Sequence, residues 1–408
     1  MEGSGTQIVS RQSLTLELPP SCLEFSPLLP SYFLVGTYNL QRSSLEAGET
    51  EPSVGPQKRN GSILVYEVAG REITHHQTEC RPSAILDLRF QTCPGKQDIV
   101  GAVSSTGALD VFRFSCSSRG PPSLTLLGTV RIPGIGEDVL FLQFAWHPTI
   151  PDTVAITTSQ GGVHILQLGS DYQTSVATQE PIILHSLEAW CVAMSPTIST
   201  ADPSEAQSCT LFSGGDDSVL QYATCAMQRK LPQDDDPPGV DLPYPAMSVR
   251  GHDAGVTAIL PLPCGKDIVV TGSYDDHIRV YSIQPLQETH GLRKTRLLAE
   301  ANLGGGVWRL RLIRYDGGDG RGKGEGTWRA LILASCMHAG ARVVRISGSD
   351  GSTGDVVLEV LGRFEEHRSM NYASDFQPGS ERDGQGELVC VSTSFYDKLL
   401  CLWTIKLG

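Results

Sequence analysis

Three histidines in the second half of the chain, His252, His338 and His367, carry the side chain that most readily exchanges a proton near neutral pH. His252 and His367 occupy the same loop position in two repeats, where hydrogen bonding to a buried turn aspartate is the alternative to catalysis. His338 lies in a repeat that has Ala339 in place of that aspartate. We therefore rank His338 first as a candidate base, with ordinary packing as its alternative role. We include Asp276 as the acid of a histidine–aspartate pair.

Patterns typical of other catalytic chemistries are missing from the sequence. There is no Gly-x-Ser-x-Gly nucleophile elbow, and Cys336 follows an apolar run typical of a buried strand. Residues 234–236 are adjacent aspartates, which cannot all face one metal ion. The glycine-rich residues 317–324 lack the order of a phosphate-binding loop. The sequence therefore predicts no metal site and no cofactor.

Composition and charge limit the class of protein. The chain has 408 residues and a net charge of −13, which repels phosphate backbones and anionic lipids. The N-terminus lacks a signal-peptide pattern, no window is apolar enough to cross a bilayer, and the 11 cysteines form no Cys-x-x-Cys pair. We expect a cytoplasmic protein with reduced cysteines, mostly in the core, and no nucleic-acid or membrane partner.

The elements that would position the candidate residues recur along the chain. An apolar strand, a small or Asp-containing turn and an alternating strand ending in a bulky residue form one copy, and residues 267–281 are the clearest example. Close copies span 210–222 and 388–403. The seven copies end at Tyr66, Phe112, Leu166, Tyr222, Tyr281, Arg345 and Trp403. Most follow another short apolar strand, so each repeat supplies four strands with a less regular outer one.

Seven such sheets can pack radially and bury their faces on one another. The sequence therefore predicts an all-β fold, a seven-bladed β-propeller that forms a single domain over residues 1–408. The last repeat lacks a fourth strand, and we expect the alternating residues 13–18 to close the ring by pairing with residues 399–404. Polar, Gly/Pro-rich inserts are expected as surface loops near 43–61, 197–208, 228–245, 316–327 and 379–387.

Particular segments of the second half resemble known families. Residues 251–252, 273–275 and Tyr281 resemble the pattern of WD40-type propellers. From about residue 211 onwards, the chain also resembles the WD-repeat diphthine methyl ester hydrolase family of diphthamide biosynthesis. The segments that carry this second resemblance are 251–256, 271–279, 304–309, 334–340, 369–376 and 392–397.

The resemblance implies an enzyme, a carboxylic ester hydrolase (diphthine methylesterase). Its reaction would remove the methyl ester from methylated diphthine, the modified histidine of translation elongation factor 2. The implied partners are elongation factor 2, as protein substrate, and other diphthamide biosynthesis enzymes. The alternative, which rests on the WD pattern alone, is a non-catalytic scaffold for protein complexes.

This implied chemistry selects candidate site residues. Water activated by His338 or by a histidine–aspartate pair would attack the ester, and Gly305 would present a backbone N–H to the oxyanion. The trimethylammonium group of the substrate calls for aromatic faces and carboxylates at one mouth of the channel. The candidates for binding it are Trp190, Tyr274, Trp308, Tyr372 and Tyr396, with Asp217, Asp253 and Asp276 as acidic complement and with Arg309 and Asn371 from the matched segments. The alternative for each aromatic residue is packing between blades.

Overall fold

The computed structural model describes residues 5–41, 57–116, 120–178, 180–196, 207–227, 240–263, 268–317, 327–349, 355–380 and 386–407. These residues form β-strands joined by turns, and they contain no α-helix. The chain begins with β1 (Thr6–Ile8) and β2 (Ser10–Thr15), and the later strands form seven sheets, the blades of a propeller.

The first four blades follow one another along the chain. Blade 1 contains β3 (Pro20–Phe25), β4 (Tyr32–Thr37), β5 (Asn39–Leu40), β6 (Arg59–Ala69) and β7 (Glu72–Arg81). Blade 2 contains β8 (Ile85–Phe90), β9 (Ile99–Ser104), β10 (Leu109–Cys116) and β11 (Pro122–Val130). Blade 3 contains β12 (Phe141–Trp146), β13 (Thr153–Thr158), β14 (Gly162–Leu168), β15 (Ser175–Ala177) and β16 (Ile183–Leu184). Blade 4 contains β17 (Ala189–Pro196), β18 (Gln207–Gly215), β19 (Leu220–Met227), β20 (Val240–Asp241) and β21 (Met247–Val249).

The last three blades complete the ring. Blade 5 contains β22 (Val256–Pro261), β23 (Ile268–Ser273), β24 (His277–Ile283) and β25 (Thr295–Asn302). Blade 6 contains β26 (Arg309–Asp316), β27 (Thr327–Ser335), β28 (Ala341–Ser349) and β29 (Val357–Phe364). Blade 7 contains β30 (Ala373–Phe376), β31 (Glu387–Thr393) and β32 (Leu399–Lys406). The innermost strands β3, β8, β12, β17, β22, β26 and β30 contact one another in that order, and β30 contacts β3. The predicted seven-bladed propeller is confirmed.

The N-terminal segment closes the ring, as predicted. Strand β2 pairs antiparallel with β32, and Leu14 lies opposite Leu400. The paired residues are 10–15 rather than 13–18, because the chain turns inward after Thr15 and buries Leu16 between blades 7 and 1. Strand β1 pairs parallel with β29 at the outer edge of blade 6, a pairing that the sequence did not indicate.

The hydrophobic core consists of layers between adjacent blades. The layer between blades 6 and 7 includes Trp403, which is fully buried and stacks on Phe364 with ring centroids 5.2 Å apart. Cys390 and Cys401 are buried in the same layer, as expected for core cysteines. No helix in the described part of the chain is long and apolar enough to cross a membrane. The predicted loop inserts lie largely outside the described residues.

Candidate functional site

Seven aromatic side chains lie together on one face of the propeller, which we call the upper face. The inner strands begin at this face, and the turns between the second and third strands of the blades also lie there. We name these residues the aromatic cluster: Tyr38, Trp190, Tyr274, Trp308, Tyr372, Phe395 and Tyr396. They come from blades 1, 4, 5, 6 and 7. All five aromatic residues selected from the sequence belong to the cluster.

Trp308 lies at the centre of the aromatic cluster. Its ring centroid is 5.0 Å from Tyr372, 5.5 Å from Trp190 and 5.7 Å from Tyr274. These distances are within the range of favourable ring contacts. The four rings are partly buried, whereas Tyr396 is 69% exposed at the end of the cluster. The cluster therefore presents aromatic surface on an open face.

A β-bulge sets the position of Trp190. It is the extra residue of the inner strand, between the pair Ala189–Gly215 and the pair Cys191–Gly214. A bulge interrupts the alternation of side chains along a strand and redirects the extra residue. For that reason Trp190 contacts Trp308 of blade 6 instead of the interblade core.

Two carboxylates, those of Asp216 and Glu188, lie beside the aromatic cluster. Asp216 accepts a hydrogen bond from Trp190 Nε1 at 3.1 Å. A Cβ atom on Gly255 would lie 2.8 Å from Asp216 Oδ1 and 3.0 Å from the Tyr274 ring, so glycine permits their close approach. Burial raises the pKa of Tyr274, and interactions with Tyr372 and with the carboxylates of Asp216 and Glu188 raise it further. The cluster therefore has a negative environment suited to a cation.

The carboxylates selected from the sequence have other roles in the structure. Asp217 accepts hydrogen bonds from the backbone N–H of Ser186 and of Val219 and is 3.0 Å from His185 Nδ1, so it stabilises its own turn. Asp253 is exposed and donates its backbone N–H to Asp275. For Asp217 the expectation is corrected: its neighbour Asp216 is the carboxylate that reaches the cluster.

Asp276 lies in the turn of blade 5 between β23 and β24. Its φ of 66° is in the left-handed region, and its carbonyl accepts a hydrogen bond from Leu303 N at 2.8 Å. These contacts give Asp276 a structural place in the turn. No hydrogen bond joins its carboxylate to a histidine among the described residues.

His252 and His367 are buried and adopt the structural alternative, although with unexpected partners. His252 Nε2 is 2.9 Å from Thr271 Oγ1, and His367 Nε2 is 2.7 Å from Ser392 Oγ. Ser392 also accepts a hydrogen bond from Trp403 Nε1 at 2.9 Å. Burial lowers the pKa of each histidine to about 4. Neither imidazole faces the aromatic cluster, so the structure does not support either one as a catalytic base.

His338 is exposed in the turn of blade 6. Its side chain makes no hydrogen bond, ion pair or ring contact with the described residues. The neighbouring Met337 is buried, and a Cβ atom on Gly306 would lie 2.8 Å from its sulfur. Met337, rather than His338, therefore lies beside the cluster.

Three further predicted residues hold the fold together. Asn371 is fully buried and donates from Nδ2 to the carbonyl of Thr393 at 2.7 Å. Gly305 is buried against the turn of blade 6, where a Cβ atom would lie 2.4 Å from the carbonyl oxygen of Cys336. Arg309 points into the central channel and lies 3.2 Å from Asp87 of blade 2. None of the three is placed to contact a ligand at the aromatic cluster, which corrects these expectations.

Sequence reasoning missed Asp216, Glu188, Phe395 and Tyr38. Phe395 lies within a matched segment and next to Tyr396, so its aromatic ring was a usable signal. Tyr38 directly follows the second strand of blade 1, at a position equivalent to Tyr274 in blade 5. Asp216 and Asp217 could not be distinguished by residue type, because only the bulge at Trp190 decides which of them meets the indole.

Comparisons with known proteins identify relatives along nearly the whole chain. No family model matches the sequence. The chain is 26% identical to the diphthine methyltransferase of Schizosaccharomyces pombe, over 98% of this chain and 99% of that protein. It is 24% identical to the diphthine methyltransferase homolog of Dictyostelium discoideum, with the same coverage. The human diphthine methyltransferase is 24% identical over 82% of this chain and 67% of its own length.

Solved structures confirm the fold alone. Sqt1 of Chaetomium thermophilum has a TM-score of 0.55 and 14% identity, covering 94% of this chain and 82% of Sqt1. Sqt1 bound to the N-terminus of ribosomal protein L10 gives a TM-score of 0.53 and 13% identity, covering 96% of this chain and 86% of that one.

The names of the relatives correct one expectation about activity. All of them are named for methyl transfer, whereas the sequence interpretation assigned an ester hydrolase. The assignment of an ester hydrolase is therefore wrong, and the roles given to His338, Gly305 and the histidine–aspartate pair in that reaction no longer apply. The expected link to diphthamide biosynthesis is supported by the same relatives.

Proposed function

Because the chain is a homologue of proteins named diphthine methyltransferase, we propose that it acts on the methylation of diphthine in translation elongation factor 2. The aromatic cluster would bind the trimethylammonium group of the diphthine side chain. The observation that carries this proposal is the packing of Trp308 against Trp190, Tyr274 and Tyr372. Asp216 accepts a hydrogen bond from the indole of Trp190.

A quaternary ammonium group suits this cluster for a physical reason. It has no N–H to donate, so it gains little from hydrogen-bond acceptors and much from aromatic faces, which attract cations through their quadrupole. Partly buried rings exclude water from the cation without enclosing it. Asp216 adds negative charge at hydrogen-bond distance from Trp190, and Glu188 adds negative charge that acts on Tyr274. Such a site favours a trimethylated side chain over the neutral histidine from which it derives.

The open position of the cluster suits a protein substrate. A modified histidine on a large protein has to reach its binding site while still attached to its backbone. The exposed ring of Tyr396 and the partly buried ring of Phe395 extend the cluster toward blade 1, where Tyr38 continues it. This extended aromatic surface would contact the segment of elongation factor 2 that carries diphthine.

The name of the relatives implies a methyl donor as co-substrate. The residues of the chain would bind the diphthine cation, orient it through contact with Trp308, and hold the carboxylate of Asp216 beside it. We assign no residue to the donor, because the rings and carboxylates of the cluster are accounted for by the cation of the substrate.

A reconstituted reaction tests the proposal. Elongation factor 2 would be isolated from fission yeast lacking its diphthine methyltransferase relative and incubated with this protein and the small-molecule fraction of a yeast extract. We expect the mass of the diphthine-bearing peptide to change by a methyl group with the wild-type protein and not with Trp308→Ala. An unchanged mass at every protein concentration would contradict the proposal.

A further inference from the structure

The central channel contains a cavity that is separate from the aromatic cluster. Its volume is about 560 Å³, and residues of all seven inner strands line it. Apart from Arg309 and Leu310, which begin β26, the lining comes from the middle and later parts of these strands, so the cavity extends toward the face opposite the cluster. No residue of the aromatic cluster borders it. This size lies within the range typical of sites for small organic ligands.

One wall of the cavity carries an ordered set of charges. Arg311 Nη2 lies 2.8 Å from Glu24 Oε1, and Arg311 Nε lies 3.7 Å from Asp375 Oδ1. The second oxygen of Glu24 accepts a hydrogen bond from Phe90 N, and the second oxygen of Asp375 accepts one from Phe25 N, each at 2.8 Å. Both oxygens of each carboxylate therefore have a partner within the protein.

Asp87 joins two arginines of this wall, Arg89 and Arg309, across the ring. Its Oδ2 accepts a hydrogen bond from Arg89 Nε at 2.9 Å, and its Oδ1 lies 3.2 Å from Arg309 Nη2 of blade 6. Phe144 N also donates to Oδ2, at 3.5 Å. Like the other two carboxylates, Asp87 has both oxygens paired within the protein.

The charged groups of the wall that have no hydrogen-bond partner among the described residues are N–H donors. A guanidinium has five N–H donors and no acceptor. The Nη1 and Nη2 groups of Arg89 make no hydrogen bond to another described residue, and the side chain is 26% exposed, at the cavity. A ligand that completes this wall must therefore supply acceptor oxygens. Among biological groups, a carboxylate matches the geometry of a guanidinium with two parallel hydrogen bonds.

The facing wall is apolar. It is formed by blades 3, 4 and 5 and includes Trp146, Val192, Met194 and Leu260. The indole N–H of Trp146 is already bonded to the carbonyl oxygen of Arg89 at 2.9 Å. This wall therefore offers hydrocarbon and ring surface directly opposite the charged one.

We propose that the channel cavity binds a carboxylate attached to an apolar group, with Arg89 holding the carboxylate and the wall around Trp146 and Met194 covering the apolar part. The ligand is either a free organic acid or the C-terminal carboxylate of a peptide that ends in an apolar residue. This site is independent of the proposed action on diphthine.

Probe molecules that differ in one group test the site. Phenylacetate, phenylacetamide, phenethylamine and acetate would each be titrated into the purified full chain by calorimetry and ligand-observed NMR. We expect phenylacetate to bind at least about tenfold more tightly than the other three, because only it combines a carboxylate with a ring. A peptide ending in phenylalanine, with a free or an amidated C-terminus, distinguishes the two sources. Tighter binding of the free peptide than of phenylacetate indicates a peptide ligand.

Two variants and one control locate the binding. Arg89→Ala leaves Asp87 paired with Arg309, so the protein is expected to fold and to bind phenylacetate at least about tenfold more weakly. Ala193→Leu, which reduces the cavity without removing a charge, should also weaken binding. Arg113→Ala removes an exposed arginine of the same blade and should change nothing. Equal binding of all four probes, or full affinity in Arg89→Ala, would overturn the proposal and leave the wall as a structural ion network.

Discussion

The indole N–H of Trp190 donates a hydrogen bond to Asp216 Oδ1 at 3.1 Å. The next residue, Asp217, has its carboxylate 3.0 Å from His185 Nδ1, and His185 Nε2 lies 3.0 Å from Ser213 Oγ. Two consecutive aspartates therefore serve different purposes. One carboxylate borders the aromatic cluster, and the other stabilises the turn of blade 4.

Exchanging each aspartate for asparagine separates these roles. Asp216→Asn removes the charge beside the cluster, and we expect weaker binding of a trimethylammonium peptide with stability changed by less than about 0.5 kcal/mol. Asp217→Asn removes the acceptor from several turn contacts and should lower the free energy of unfolding by about 1–3 kcal/mol. Calorimetric titration and urea unfolding measure the two effects. Equal effects of both substitutions on binding would contradict this division.

Trp308 provides a test of the cation contact itself. Trp308→Ala removes the central ring and should weaken binding of a trimethylammonium peptide by about 0.5–2 kcal/mol, whereas Trp308→Phe keeps an aromatic face and should recover part of this loss. The matched ligand is the tert-butyl analogue, which has the same shape and no charge. If Trp308→Ala weakened binding of both ligands equally, the contact would be only hydrophobic.

The sequence predicted the ring and most of the aromatic cluster. Repeat spacing and strand periodicity determine the blade count, and turn positions of aligned repeats share a face, so Tyr274 and Tyr396 could be placed together. The sequence could not indicate the bulge that turns Trp190 toward Trp308, because a bulge depends on the pairing register of two strands.

Arg309 illustrates a second limit of the sequence. It directly follows Trp308 in the sequence, which suggests a ligand-binding role, but it pairs with Asp87 across the channel. Contacts between blades that are distant in the chain are set by ring closure, which local patterns do not specify. The partners of His252 and His367 lie within their own blades and are the strand hydroxyls of Thr271 and Ser392 rather than the turn aspartates.

The buried histidines predict how stability depends on pH. Burial lowers the pKa of His252 and His367 from 6.5 to about 4, so below pH 6.5 the unfolded chain binds protons that the folded chain does not. The contribution of these neutral, buried histidines to the free energy of unfolding is fully present above pH 6.5 and is lost as the pH falls toward 4. Lowering the pH from 7 to 5 should therefore decrease the free energy of unfolding by about 2 kcal/mol for each histidine.

Urea unfolding at pH 7 and pH 5 measures this dependence. The double variant His252→Asn/His367→Asn should lose much less stability over that interval than the wild type, whatever its stability at pH 7. The exposed His290 provides the control, since His290→Asn should leave the pH dependence unchanged. A pH dependence that is the same in the double variant and in the wild type would show that these histidines are not the cause.

Closure of the ring by the N-terminal segment predicts an effect of Leu16. This side chain is 7% exposed and packs with Leu23, Val391 and Leu400, so it joins blade 7 to blade 1. Leu16→Ala should lower the free energy of unfolding by about 2–5 kcal/mol. Val9 is 65% exposed, and Val9→Ala should change stability by less than about 0.5 kcal/mol. Similar stabilities of the two variants in urea would argue against closure at this seam.

The most direct test of the account is the affinity of the purified protein for elongation factor 2 with and without diphthine. Calorimetric titration would compare factor 2 that carries diphthine with factor 2 whose histidine is unmodified, using the wild-type protein and Trp308→Ala. We expect the wild-type protein to prefer the diphthine form and the variant to lose this preference. Equal affinity of the wild-type protein for both forms would contradict recognition of diphthine by the aromatic cluster.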